Sequence, residues 1–172
     1  MNKPRVLYHA SPNKNIKVFQ PRNESIRDPK EGLVVFGTPD KAFASMFLVE
    51  SDDTWTQKSR FSNVYITIIN SKRKYQKMDK GGAIYTLSSN SFECDLKKGI
   101  GKKEWFSKVP IKPISKEVYS SGLEAMLDNE VQVYFCDKMS FQKIINSKDH
   151  GHSILKNLTS ENKKQGRSIK SI

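Results

Sequence analysis

The chain is short of the residues that usually announce a reaction. It has three histidines and two cysteines in 172 residues. Cys94 and Cys136 sit in otherwise ordinary segments. Two free thiols are therefore expected, not a disulfide or a metal pair. No phosphate loop, GxGxxG fingerprint, zinc-type spacing or GxSxG elbow occurs, so the best-marked nucleotide, zinc and hydrolase sites have no support. His150-Gly151-His152 beside Asp149 lacks the pre-formed geometry and outer shell that a metal site needs. No apolar run approaches the roughly 18 residues of a membrane span. No signal-peptide core follows Met1-Asn2-Lys3-Pro4-Arg5, so the expected location is cytoplasmic. There are no internal repeats.

Acidic residues are also scarce. Eighteen face thirty Lys and Arg, for a net charge of +12 and a pI near 9.7. Such a surplus suits an anionic partner: nucleic acid, a dinucleotide pyrophosphate or an acidic protein. The alternative is a basic surface that serves solubility alone. The cations cluster at Lys72–Lys77, at Lys97–Lys103 and in the C-terminal tail. A basic loop with an interleaved tyrosine, such as Lys72-Arg73-Lys74-Tyr75, can track a phosphate backbone.

What is present fits one domain. Hydrophobic residues make up 36%, with nine Phe, six Tyr and two Trp, enough for one core despite a mean hydropathy of -0.64. Strands are expected at 5–9, 32–37, 63–69, 81–87, 103–107 and 129–136, with an edge segment at 109–114 limited by its prolines. Thr38 is expected to cap a helix, with Pro39 at its first position and 42–48 continuing it. Residues 22–31 and 51–62 read as polar loops, the first a possible substrate lid. Segment 115–119 leads into a helix at 122–127, and 140–145 fits a short one. The expected fold is a small single α+β domain over 1–146, with a bent or split, mostly antiparallel sheet and few helices. Residues 147–172 read as a basic, mobile tail.

Two segments carry the chemistry. Val6-Leu7-Tyr8-His9-Ala10-Ser11 places a histidine at the end of a short apolar run. A strand end holds such a ring rigidly before a cleft. The alternative is a ring that merely bonds a neighbouring carbonyl. Roughly 25 residues later, Leu33-Val34-Val35-Phe36-Gly37 runs through Thr38-Pro39 into Asp40-Lys41-Ala42-Phe43-Ala44. Near the other end, Asp128-Asn129-Glu130 leads an alternating strand, Val131-Gln132-Val133-Tyr134, from whose start a carboxylate could project into a cleft. Trp105, beside Glu104, is expected in the core.

These three pieces, in this order, resemble the ADP-ribosyltransferase fold in the branch with diphtheria toxin and the poly-ADP-ribose polymerases. Tyr8-His9-Ala10-Ser11 is similar to that branch's His-Gly-Ser/Thr strand, with Ala10 in place of glycine. Leu33–Gly37 is similar to its Gly-Ile-Tyr-Phe-Ala strand. Asp128–Phe135 is similar to the strand bearing its catalytic glutamate. The branch's stacking tyrosine has no match: Val35 or Phe36 stands there, and only Phe36 has a face to stack on nicotinamide.

The resemblance implies NAD as substrate and transfer of ADP-ribose to a protein or nucleic-acid acceptor, in a protein of bacterial or phage type. It implies Glu130 stabilising positive charge on the ribose and His9 orienting the dinucleotide from a neighbouring strand. Tyr8, Ser11, Phe36 and Thr38 complete the implied NAD site. Ser11 also reads simply as a turn residue before Pro12. The other functional reading is a non-catalytic, basic nucleic-acid-binding protein on the same fold.

Overall fold

The computed structural model describes residues 3–23, 32–61, 63–95, 103–149, 151, 153–154, 156 and 169–171. Among them the chain forms nine strands and four helices. Strand β5 (Gly82–Ser88) lies between β1 (Val6–Ser11) and β7 (Ser115–Tyr119), antiparallel to both. Strand β2 (Val35–Gly37) pairs with β6 (Trp105–Ser107). It touches β1 through one bridge, in which Tyr8 and Thr38 exchange both backbone bonds. The second main sheet runs β3 (Thr56–Phe61), β4 (Val64–Ile69), β8 (Gln132–Phe135), β9 (Ile169–Ser171). Only β4 with β8 and β8 with β9 are parallel. The architecture is a small α+β domain with a split, mostly antiparallel sheet, as expected.

Alternation explains the layering, since successive strand side chains point to opposite faces. On β1, Leu7 joins Phe19, Val35, Tyr85 and Trp105 on one face. On the other, Tyr8 and Ala10 pack against Ala44, Leu48, Ile84, Tyr119 and Ala125. Strand β4 is buried on both faces. Ile66 and Ile68 meet Phe141 and Ile144 of helix α4 (Lys138–Ile145). Tyr65 and Ile69 meet Met126 of helix α3 (Gly122–Asp128). Each of these wholly buried isoleucines contributes about 2 kcal/mol of transfer free energy.

Helix starts depart from the sequence reading in a way the hydrogen bonds explain. Thr38 does not cap α1 (Lys41–Ser45). Its backbone is held by Tyr8 and its hydroxyl accepts from the Asp40 amide. The helix therefore begins two residues later, with Asp40 as N-cap accepting from the Phe43 amide. The basic run Lys72–Lys77, expected as a loop, is helix α2 (Lys72–Met78) behind an Ser71 cap. Its tyrosine, Tyr75, is buried in the core rather than offered to a partner. The polar stretch 51–62 holds β3, and 115–119 is a strand rather than a lead into a helix. Strand β9 arises from the segment expected as a mobile tail. Residues 24–31 of the loop 22–31 read as a lid, most of the Lys97–Lys103 run, and His150 and His152 lie outside the described residues. No helix among the described residues is long and apolar enough to cross a membrane.

Two devices hold the sheet and helices together. Gly81 adopts a positive φ of 67°, and a Cβ there would lie 2.4 Å from the carbonyl oxygens of Tyr119 and Ser120. A Cβ on Gly82 would lie 2.4 Å from the carbonyl oxygen of Ser11. The pair thus lets β5 enter between β1 and β7. Just before it, Asp79 accepts from the amides of Gly122 at 2.6 Å and Leu123 at 3.1 Å. Ser121 accepts from Glu124 at 2.9 Å. The first three amides of α3 are thereby satisfied, two of them by a residue 43 or 44 positions away.

Asp79→Ala strips acceptors from partly buried amides and removes a negative charge from a helix start. It should lower unfolding stability by about 1–3 kcal/mol, read as a lower urea midpoint at unchanged slope.

Candidate functional site

The site begins with the period of β1. His9 and Ser11 follow Leu7 on one face of the strand, and both line a concavity of about 60 Å³. Its opposite wall is the segment that turns back after Pro12 and Asn13. That wall supplies Ile16, Val18, Phe19, Gln20 and Arg22, with Val35 of β2 completing the lining. Arg22 is fixed there by an antiparallel bridge in which it exchanges backbone bonds with Val34 at 2.9 Å. The lining therefore brings His9, Ser11, Gln20 and Arg22 together over an apolar floor.

His9 is rigidly set. Its Nδ1 lies 2.8 Å from the carbonyl oxygen of Phe36, and its ring lies 4.7 Å from that of Phe19. A nitrogen facing a carbonyl carries the proton and donates, which fixes the tautomer of the neutral ring. The bond to a neighbouring carbonyl, weighed above as the alternative to a functional role, is thus present. It also serves to orient a ring that borders a hollow.

The wall is held by Tyr85. This residue is wholly buried and pairs with His9 across β1 and β5. Its hydroxyl donates to the Asn13 carbonyl at 2.7 Å and accepts from the Ile16 amide at 3.0 Å. Its ring meets Phe19 edge-on at 5.0 Å. One phenol thus anchors both ends of the turn and its first aromatic side chain.

The other expected site residues do not all join this hollow. Ser11 does, and its hydroxyl also accepts from the Asn13 amide at 3.2 Å, the turn role weighed for it. Phe36 does not line the hollow: its neighbour Val35 does, because adjacent strand residues alternate, and only the Phe36 carbonyl is used, as acceptor for the His9 ring. Tyr8 points to the opposite face of β1, because adjacent strand residues alternate. Thr38 is buried and its backbone is used in the bridge to β1. Glu130 stands elsewhere. It is exposed on the turn between α3 and β8, in the other main sheet, so it does not share neighbouring strands with His9.

Glu130 closes α3. Its amide donates to the Leu127 carbonyl at 3.0 Å, and the Val131 amide donates to Met126 at 2.9 Å, the double bond of a Schellman cap. Its φ of 61° is the left-handed conformation that glycine takes freely and that costs other residues roughly 1 kcal/mol. The helix terminus, rather than a strand start, decides where its carboxylate goes.

Gln20 and Arg22 were not visible as site residues in the sequence. Only the fold-back at Pro12 and Asn13 brings them to β1, and the one local signal was that turn pair. A second group was also missed. Asp40, Tyr65, Lys103 and Arg60 converge from four separate segments. Tyr65 donates to Asp40 at 2.5 Å, and Lys103 contacts Tyr65 and lies 3.8 Å from Asp40. Burial, then the charge of Arg60, push the Lys103 ammonium below the ordinary lysine range. The thiols offer little chemistry: burial pushes Cys136 up to about 11, and it raises Cys94 as well, away from the reactive thiolate. Among the described residues no cluster of three metal-ligating side chains occurs.

Tyr85→Phe keeps the ring and removes both hydroxyl bonds. It should cost about 1–3 kcal/mol through unmet buried partners. Amide exchange at Ile16 should accelerate more than exchange across β4, as read by hydrogen–deuterium exchange.

No protein-family model matches this chain, and neither does any curated protein or solved structure.

Proposed function

We propose that the chain recognises NAD through its ADP-ribosyl portion, with His9 as the orienting residue, on a fold of the ADP-ribosyltransferase type. The observation that carries the reading is the joint position of His9, Ser11 and Arg22 around one hollow on β1. A hydroxyl and an imidazole suit a sugar's hydroxyls, and a guanidinium suits a phosphate. The hollow's 60 Å³ is far below the roughly 300 Å³ or more of a complete small-molecule pocket. It covers only a fraction of the ligand, so most of a dinucleotide would lie along the strand face.

Binding is supported further than turnover. Transfer of ADP-ribose to a protein or nucleic-acid acceptor needs a carboxylate at the ribose whose bond to nicotinamide breaks. Glu130 has the right chemistry, yet it sits on an exposed turn of the other sheet and does not line the His9 hollow. Its left-handed backbone is accounted for by the cap of α3.

The test is a thermal-shift titration with NAD and with ADP-ribose, because a ligand that binds only the folded chain raises its melting temperature. Both ligands should stabilise the wild type, His9→Ala should abolish the shift, and Glu130→Gln should retain it. No shift with either ligand would refute the reading. Nicotinamide release by the wild type that falls about a hundredfold in Glu130→Gln would add catalysis to binding.

A further inference from the structure

A line of aromatic rings crosses the surface formed by α1, β3 and β4. Phe43 of α1 and Phe47, just past the C-cap Met46, meet edge to face with centroids at 5.0 Å, and Phe43 lies 5.7 Å from Tyr65. Exposure is graded along the line. Phe47 is 48% exposed, Phe43 is half-buried, and Tyr65 at 6% is the floor. Every ring carries a cation. Lys58 sits 4.7 Å from the Phe47 centroid. Lys103 sits 5.7 Å from Phe43 and 4.2 Å from Tyr65, and Arg60 lies 5.3 Å from Tyr65. None of these residues lines the His9 hollow.

The charges are unevenly matched. Asp40 is the carboxylate at the Lys103 end, and its two oxygens already accept from the Phe43 amide and the Tyr65 hydroxyl. Arg60 donates to the neutral side chain of Asn63. At the other end Asp52 and Asp53 act on Lys58. Arg60 and Lys103 therefore hold two like charges around one tyrosine, next to accessible aromatic faces.

We propose that this strip binds single-stranded nucleic acid, one base stacking on the exposed ring of Phe47, with Phe43 edge-on beside it, while neighbouring phosphates pair with Arg60 and Lys103. An exposed ring is met by the π-face of a base, which a single strand offers and a duplex hides within its stack. Cations beside the rings meet the phosphates that flank that base. An acidic peptide would use the cations and leave the rings without a partner. The chain's surplus of twelve positive charges favours the same occupant at long range.

The experiment uses the full chain and fluorescein-labelled oligo-dT, followed by anisotropy over a series of salt concentrations. Binding should weaken as salt rises. Phe47→Ala, at an exposed position that leaves the core intact, should weaken binding roughly 5- to 100-fold at every salt concentration, without changing the slope. Phe47→Trp should retain binding. The double variant Arg60→Gln, Lys103→Gln should reduce the logarithmic salt slope by about 1.4, two phosphates' worth. A duplex of equal length should bind more weakly, and excess NAD should not displace the oligonucleotide. Three results would overturn the proposal: no binding at low salt, Phe47→Ala binding like the wild type in its folded state, or a slope unchanged in the double variant. Displacement by NAD would overturn the placement on this strip. The oligonucleotide readout stands whether or not NAD binds, so failure of either reading is seen separately.

Discussion

The hydroxyl of Tyr85 is the contact on which the His9 hollow depends. It sits at the middle of β5, in the interior of the first sheet, and reaches out to two backbone groups of the returning segment. A buried phenol must find partners, and a turn with unpaired backbone groups must find them too. Each need meets the other here. The same ring, with Phe19, closes the floor beneath His9. The hollow is therefore a by-product of core packing on one face of β5, and its shape is as rigid as the core.

Rigidity in β5 has its own source. A strand buried on both sides must be approached closely by its neighbours, and Gly81 and Gly82 remove the side chains that would collide with β1 and β7. Asp79, two residues upstream, then carries the connection to α3. Three successive needs are met by one short run, Asp79 to Gly82: the end of α2, the start of α3, and the entry of the central strand. A carboxylate is well suited to the second role, because helix-start amides form a site of partial positive charge.

The basic composition is used within the fold before it is used on a partner. Lys74 lies 4.4 Å from the Trp55 ring and Lys72 lies 5.7 Å from Phe135. Their ammonium groups sit over the faces of core aromatics from exposed positions on the helix, which is a cation–π contact. This is why Lys72–Lys77 looked like a loop in the sequence and folds as a helix. Charge masked the signal, and only the single apolar residue Tyr75 marked a buried side. Strand β3 was hidden in the same way: Thr-Gln-Lys-Ser-Arg-Phe carries little hydrophobic alternation because its outward face holds Lys58 and Arg60. Strands β1, β4, β5 and β8 were legible because burial on one or both faces writes itself as apolar alternation or as an apolar run. In the site, His9 and Ser11 share a face by that same period of two, so their union was readable. Gln20 and Arg22 were not, since a fold-back pinned at Asn13 and Ile16 by a tyrosine 72 and 69 positions further on has no local signature. Glu130 was read as a strand start, but the α3 terminus claims it first, with Asn129 and Glu130 completing the cap.

The two candidate surfaces are built from one stretch of backbone. Between residues 36 and 40 the chain leaves β2 and enters α1. At one end the Phe36 carbonyl holds the His9 ring. In the middle Thr38 ties this stretch to Tyr8 through two backbone bonds. At the other end Asp40 caps α1 with one oxygen and binds the Tyr65 hydroxyl with the other. That capping places Phe43, whose amide it binds, in the first turn of the helix. Gly37 sits between these anchors, and a Cβ there would press on Leu7 at 3.1 Å and Phe92 at 3.3 Å. The segment is therefore packed too closely to slide. The β1 hollow and the ring-and-cation strip are thus anchored by one stretch of five residues, the Phe36 carbonyl serving the first and the Asp40 carboxylate the second.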